Sequence, residues 1–189
     1  MSQQGEKFNP SVLPADAMKG FERDDAGTGP KHFLYPGQIF ASREPVIITT
    51  ILGSCIALCL WDWRKRIGGM NHYLLPEGQD DGPNRLRYGN VANPALLHEM
   101  TALGCAVKNL RAKIFGGSSS LAAKPALSVG TRNVQLAEEF LHAAGIPIVA
   151  KEVSGRRGRR LIFNTHDGAT LIREFNPHPA PSALDLKSR

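Results

Sequence analysis

Ile47-Ile48-Thr49-Thr50-Ile51-Leu52-Gly53-Ser54-Cys55-Ile56-Ala57-Leu58-Cys59-Leu60, followed by Ile67-Gly68-Gly69-Met70-Asn71-His72-Tyr73-Leu74-Leu75-Pro76, is the stretch that decides the fold. It reads as apolar strands, the first of them broken at a Gly-Ser-Cys corner. Residues 56–61 are apolar on both faces, as a central strand is. Period-two alternation puts Cys55, Ala57 and Cys59 on one face and Ile56, Leu58 and Leu60 on the other. The charged turn Asp62-Trp63-Arg64-Lys65-Arg66 leads into the strand 67–75, which carries His72 beside Asn71.

Outward from there, 31–35 and 38–42 look extended, with Pro36-Gly37 as a turn, and Pro45 opens the strand 46–51. Downstream, a loop rich in Gly, Asp, Asn and Arg runs from 77 to about 90. Asn93-Pro94 predicts a helix start, with Asn as N-cap and Pro at the first helical position. Leu96, Leu97, Met100, Leu103 and Val107 then form an apolar stripe. Residues 112–115 make a short strand closed by Gly116-Gly117, and 118–130 a loop. A second helix is expected over about 132–144, with Val134, Ala137, Phe140, Leu141 and Ala144 inward, Gly145 as its cap and Pro147 as its stop. A strand at 148–153 and a hairpin of 161–164 with 169–174, turning at Asp167-Gly168, complete the order. That order predicts one α+β domain over 31–175, with sheet layers carrying two helices. Residues 1–30 read as a flexible polar lead with a short helix around 16–23. Residues 176–189 read as a proline-rich tail.

Composition narrows the function. The longest apolar run, 56–61, is strand-sized, so no membrane span or insertion is expected. The N-terminal residues lack the apolar core of a signal peptide, and the expected location is the cytoplasm. Three cysteines, Cys55, Cys59 and Cys105, form no CxxC pair, and the six histidines form no HxH or HxxxH pair. Neither a disulfide framework, a metal nor another cofactor is implied. The net charge of +6 permits an acidic partner. Arg156-Arg157-Gly158-Arg159-Arg160 is the strongest basic cluster and reads as a solvated turn or a contact for an acidic partner. Without a helix-turn-helix or stacking aromatics it does not indicate nucleic-acid binding.

A cysteine at a backbone corner with an imidazole on the next strand is the minimal equipment for nucleophilic acyl chemistry. Gly53 permits a backbone that a side chain forbids, and N–H groups at the corner are placed to face a developing oxyanion. The imidazole lowers the pKa of a partner thiol and so makes the thiolate. The other reading of Cys55 is a small buried hydrophobe, which fits Cys59 and Cys105 better still.

The segments 49–57 and 67–72 resemble the signature of the CheD family, the chemoreceptor glutamine deamidases. Further matches follow in order: Arg87-Tyr88-Gly89, Ala112-Lys113-Ile114-Phe115-Gly116-Gly117, Val129-Gly130-Thr131-Arg132-Asn133 and Gly158-Arg159-Arg160, over about 33–174. The resemblance implies a mixed β-sheet sandwich with flanking helices, and a cysteine hydrolase that converts receptor Gln side chains to Glu through a thioester. By position it implies Cys55 as nucleophile and His72 as general base and acid. It also implies Thr49, six positions before the cysteine, as the residue that orients the imidazole; Thr50 is a rival. Ser54, Asn71, Gly116 and Gly117 are the expected substrate contacts. The implied partners are methyl-accepting chemotaxis receptors and a CheC-like phosphatase. Hydrolysis of glutamyl methyl esters is an expected side activity, and a non-catalytic adaptor is the alternative. The sequence departs from the family pattern at Ser118-Ser119-Ser120-Leu121, at Val153-Ser154-Gly155-Arg156-Arg157 and in its long lead.

Overall fold

The computed structural model describes residues 29–119 and 128–175. Nine strands and two α-helices are present among them: β1 (Lys31–Phe33), β2 (Gln38–Ser42), β3 (Ile47–Leu52), β4 (Ile56–Asp62), β5 (Ile67–Tyr73), α1 (Gly89–Ala102), β6 (Leu110–Gly116), α2 (Val129–Ala143), β7 (Ile148–Val153), β8 (Gly158–Asn164) and β9 (Thr170–Phe175). The strands form two mixed sheets, ordered β1-β3-β8-β9 and β2-β5-β4-β6-β7. The expected lead helix and proline-rich tail lie outside the described residues.

The alternation within β4 explains the layering. Cys55, Ala57 and Cys59 join Met70 and Phe115 in a buried cluster with Ile48, Leu52, Leu161 and Phe163 of the other sheet. Ile56, Leu58 and Leu60 face the opposite way and join Leu96 and Met100 of α1 and Ala137 and Leu141 of α2. The larger sheet is therefore sandwiched, with the smaller sheet on one face and both helices on the other. Close helix packing depends on Gly69. A Cβ there would lie 2.8 Å from the Ala41 methyl and 3.0 Å from the Met100 sulfur.

The first helix begins earlier than its sequence predicts. Gly89 N–H donates to the Leu75 carbonyl (2.8 Å) and Asn90 N–H to that of Pro76 (3.0 Å). The end of the strand segment thus satisfies donors that a capping side chain would otherwise serve. Asn93, expected as the cap, is instead fully buried within the helix, and Pro94 lies inside it. At the other end Gly104 turns the chain with φ +86°, so Cys105 and Val107 lie beyond the helix. The second helix starts three residues before the expected position, where Ser128 caps it by accepting from Thr131 N–H (3.1 Å). The basic cluster is only half solvated: Arg156 and Arg157 are exposed, whereas Arg159 and Arg160 are buried in β8. Arg159 reaches Glu152 (3.3 Å), Glu174 (3.6 Å) and the Gly116 carbonyl (3.4 Å).

Candidate catalytic site

β3 ends at Leu52, the chain bends through 53–55, and β4 begins at Ile56. Ser54 stands exposed at the bend and Cys55 is buried. The loop after β6 holds this corner from behind. Gly117 N–H donates to the Cys55 carbonyl (2.8 Å) and Ser118 N–H to that of Gly53 (2.8 Å). Gly116 has φ +110°, and a Cβ on it would collide with the Cys55 carbonyl oxygen. Gly116 and Gly117, expected as substrate contacts, are thus packed against the backbone that carries the thiol. Within the corner, Gly53 N–H donates to the Cys55 sulfur (3.3 Å).

His72 lies directly opposite Ala57 in the antiparallel β4–β5 ladder. Directly opposed residues share a face, and Cys55 precedes Ala57 by two. Cys55, one residue before the ladder begins, is buried in the inter-sheet cluster with Ala57, so the thiol and the imidazole lie on the same face of the larger sheet.

The imidazole is held from the facing sheet by Thr50, whose hydroxyl lies 2.8 Å from Nδ1. The same hydroxyl donates to the Leu34 carbonyl (2.7 Å). A threonine hydroxyl has one hydrogen. With that hydrogen on Leu34, Thr50 accepts from His72, which places the imidazole proton on Nδ1. Nε2 is then the basic nitrogen, and it is buried without a hydrogen-bond partner. Thr49, expected in this role, points the other way. It is one residue off in a period-two strand, sharing a face with Ile47 and Ile51, whereas Ile48, Thr50 and Leu52 face the second sheet.

Asn71 is also turned away from the thiol. It is fully buried on the helix side, where its Oδ1 accepts from Leu58 N–H (3.1 Å) and its Nδ2 donates to Asn93 Oδ1 (2.9 Å). Its work is structural, not substrate contact. Asn71→Ala leaves a buried donor and a buried acceptor unpaired, and the expected loss of unfolding free energy is about 2–4 kcal/mol. Urea denaturation measures it, and the alkylation rate of Cys55 in the folded chain should stay unchanged.

Nothing local in the sequence assigns Asn133 a role, although it ends the segment Val129-Gly130-Thr131-Arg132-Asn133 and falls within the expected helix 132–144. The available signal is that it interrupts the buried stripe Gly130, Val134, Ala137, Leu141 of α2 with a polar, fully buried side chain. Its amide donates to the carbonyls of Ser54 (3.1 Å) and Leu74 (2.8 Å).

Burial sets the protonation of the pair. It pushes the Cys55 thiol up to about 11, against weaker opposing hydrogen bonds from the Gly53 and Cys55 N–H groups. It pushes the His72 imidazole down to about 4, against a weaker opposing effect of the Leu34 carbonyl. Both groups rest neutral at pH 7. The imidazole shift makes stability depend on pH. The unfolded histidine takes up a proton near 6.5, and the folded one only near 4. Between those values the unfolded chain binds more protons, so stability falls as pH drops, by about 3 kcal/mol over the window. Urea melts at pH 7 and 4.5 should show this loss in the natural chain and a smaller one in His72→Gln.

An open groove of about 430 Å³, lined by Trp61, Trp63, Arg111, Lys113 and Val149 among others, lies toward the far end of β4 and contains none of these residues. Among the described residues no group of three His, Cys, Asp or Glu is arranged to hold a metal ion.

A family profile described as "CheD chemotactic sensory transduction" matches residues 74–174. A protein of Rhodospirillum rubrum named "Probable chemoreceptor glutamine deamidase CheD" is 46% identical over 145 residues, covering 76% of this chain and 82% of the relative. Proteins of the same name from Bordetella petrii and Sulfurimonas denitrificans are 37% and 39% identical. They cover 89% and 76% of this chain and 77% and 93% of their own lengths.

Proposed function

The chain belongs to the CheD family, and on that premise we propose that it is a chemoreceptor glutamine deamidase with Cys55 as nucleophile. The observation that carries the proposal is the shared inter-sheet face of Cys55 and His72, with Thr50 holding Nδ1 and leaving Nε2 as the base. Nε2 takes the thiol proton as sulfur bonds to the side-chain carbonyl carbon of a receptor glutamine. The N–H groups of Ser54 and Cys55 have no backbone hydrogen-bond partner among the described residues, and they receive the oxyanion. The imidazolium then protonates the amide nitrogen, the C–N bond breaks and ammonia leaves. Nε2 next deprotonates a water that attacks the thioester, and the proton returns to sulfur as Glu departs. A glutamyl methyl ester follows the same route with methanol as the leaving group.

The resting neutrality of the pair gives this scheme a definite form. The thiol is deprotonated during attack and not beforehand, and docking of the receptor beside exposed Ser54 excludes water at that moment. Receptors, with a CheC-like phosphatase competing for the same face, are the proposed partners, and the cytoplasm the proposed location. Among the described residues no helix is long and apolar enough to cross a membrane. The burial that keeps the thiol protonated also suits a non-catalytic adaptor.

A purified receptor signalling fragment decides between the two. Ammonia release, with Gln converted to Glu at mapped positions, is the result expected. A fragment that binds the natural chain and releases no ammonia indicates the adaptor.

A further inference from the structure

The β4–β5 ladder stops at the pair Ile56–Tyr73. The next pair outward would be Cys55 with Leu74, where the chain bends away. Across that opening lies the carboxamide of Asn133, projecting from α2. It gives one hydrogen to the Ser54 carbonyl (3.1 Å) and the other to the Leu74 carbonyl (2.8 Å). The flipped amide would set its oxygen against two carbonyl oxygens, so these partners fix its orientation. The Tyr73 hydroxyl donates to Asn133's own carbonyl (2.6 Å), which anchors the residue through its backbone as well. The first turn of α2 is itself seated closely, since a Cβ at Gly130 would lie 2.5 Å from the Gly117 carbonyl oxygen. Ser54 immediately precedes the thiol, and Leu74 follows the imidazole by two.

We infer that Asn133 is a positioning residue, its carboxamide clamping the two strand ends and so setting the placement of the Cys55 thiol relative to His72. Where the ladder can no longer bond β4 to β5, one amide supplies both missing links. Its Oδ1 is buried without a partner, so the carboxamide acts here through its two donors. A clamp of this kind does not touch the reacting atoms and acts through Cys55. Only the kinetic part of its test rests on the deamidase reading.

The test compares the full-length natural chain with Asn133→Ala and Asn133→Ser, at a temperature where circular dichroism shows each folded. The first readout is the pH profile of iodoacetamide alkylation, mapped to Cys55. Loss of the clamp opens the corner and relieves the desolvation of the thiol. The alkylation midpoint should therefore move from about 11 toward the ordinary thiol value of 9.0 in Asn133→Ala. Asn133→Ser keeps one donor and should fall between, and it decides the matter if the alanine variant does not fold. The second readout is ammonia release, expected to lose about tenfold or more in kcat with KM within about twofold. A lower melting temperature with an unchanged alkylation profile and unchanged kcat per folded molecule would overturn the inference. Absence of ammonia release from the natural chain would instead count against the deamidase reading, and the alkylation profile would still decide the clamp.

Discussion

Cys55→Ala is expected to abolish ammonia release from a receptor fragment, by roughly 10⁴-fold or more, and to leave the chain folded. Losing a nucleophile removes the covalent route entirely, and losses of this size are typical when the attacking atom is deleted. The structural cost is small. The hydrogen bonds to the thiol, from the Gly53 and Cys55 N–H groups, are outweighed by its burial, and an alanine methyl occupies most of its buried space. Cys59→Ala and Cys105→Ala are the matched controls. Cys59 lies on the same inter-sheet face, but its thiol is pushed further up by burial than that of Cys55. Cys105 packs in the helix-side cluster, where burial raises its pKa to about 11 and nearby Asp62 adds to the effect. Both variants should keep activity within about threefold per folded molecule. Coupled-enzyme ammonia detection at matched protein concentration makes the comparison.

The second large effect is at His72. His72→Ala should lower kcat by roughly 10³-fold, because in the proposed scheme the same nitrogen removes the thiol proton, delivers it to the leaving amide nitrogen and activates water. Thr50 and Thr49 then separate strand alternation from spacing along the sequence. Thr50→Val removes the group that holds Nδ1–H and frees the tautomer that puts a proton on Nε2. A drop of about 10–100-fold in kcat is expected, with little change in KM. Thr49→Val should stay within about twofold, since Thr49 faces away from the imidazole. Equal effects at the two positions would contradict the geometry of the imidazole contact.

Much of the frame was legible because period two is a strong signal. The strands at 38–42 and 148–153 read from the sequence with the bounds the structure gives, and the two-faced apolar run 56–61 is the central strand its pattern implies. The Gly-Ser-Cys corner and the His strand were legible for the same reason. What stayed hidden depended on partners distant in sequence. Asn93 looked like a cap because Asn-Pro is a local signal. The donors of that helix are instead met by carbonyls at 75 and 76, and no local rule anticipates this. The resemblance points to Thr49 by its count of residues to the cysteine. The count does not say which face a strand residue takes, and only the register against the second sheet settles it. Arg159 looked solvated because charge clusters usually are. Its burial depends on Glu152 and Glu174, contributed by neighbouring strands. Asn133 works through two carbonyls far away in sequence, and a sequence motif shows only that an asparagine is there.

The central claim is that Cys55 carries the acyl group, and the most direct measurement is acid quench of the natural chain during turnover of the receptor fragment, followed by peptide mass mapping. A glutamyl adduct on Cys55, absent from Cys55→Ala and strongly reduced in His72→Ala, is the result predicted. Turnover accompanied by an adduct on Cys59 or Cys105, or undiminished turnover in Cys55→Ala, would contradict it.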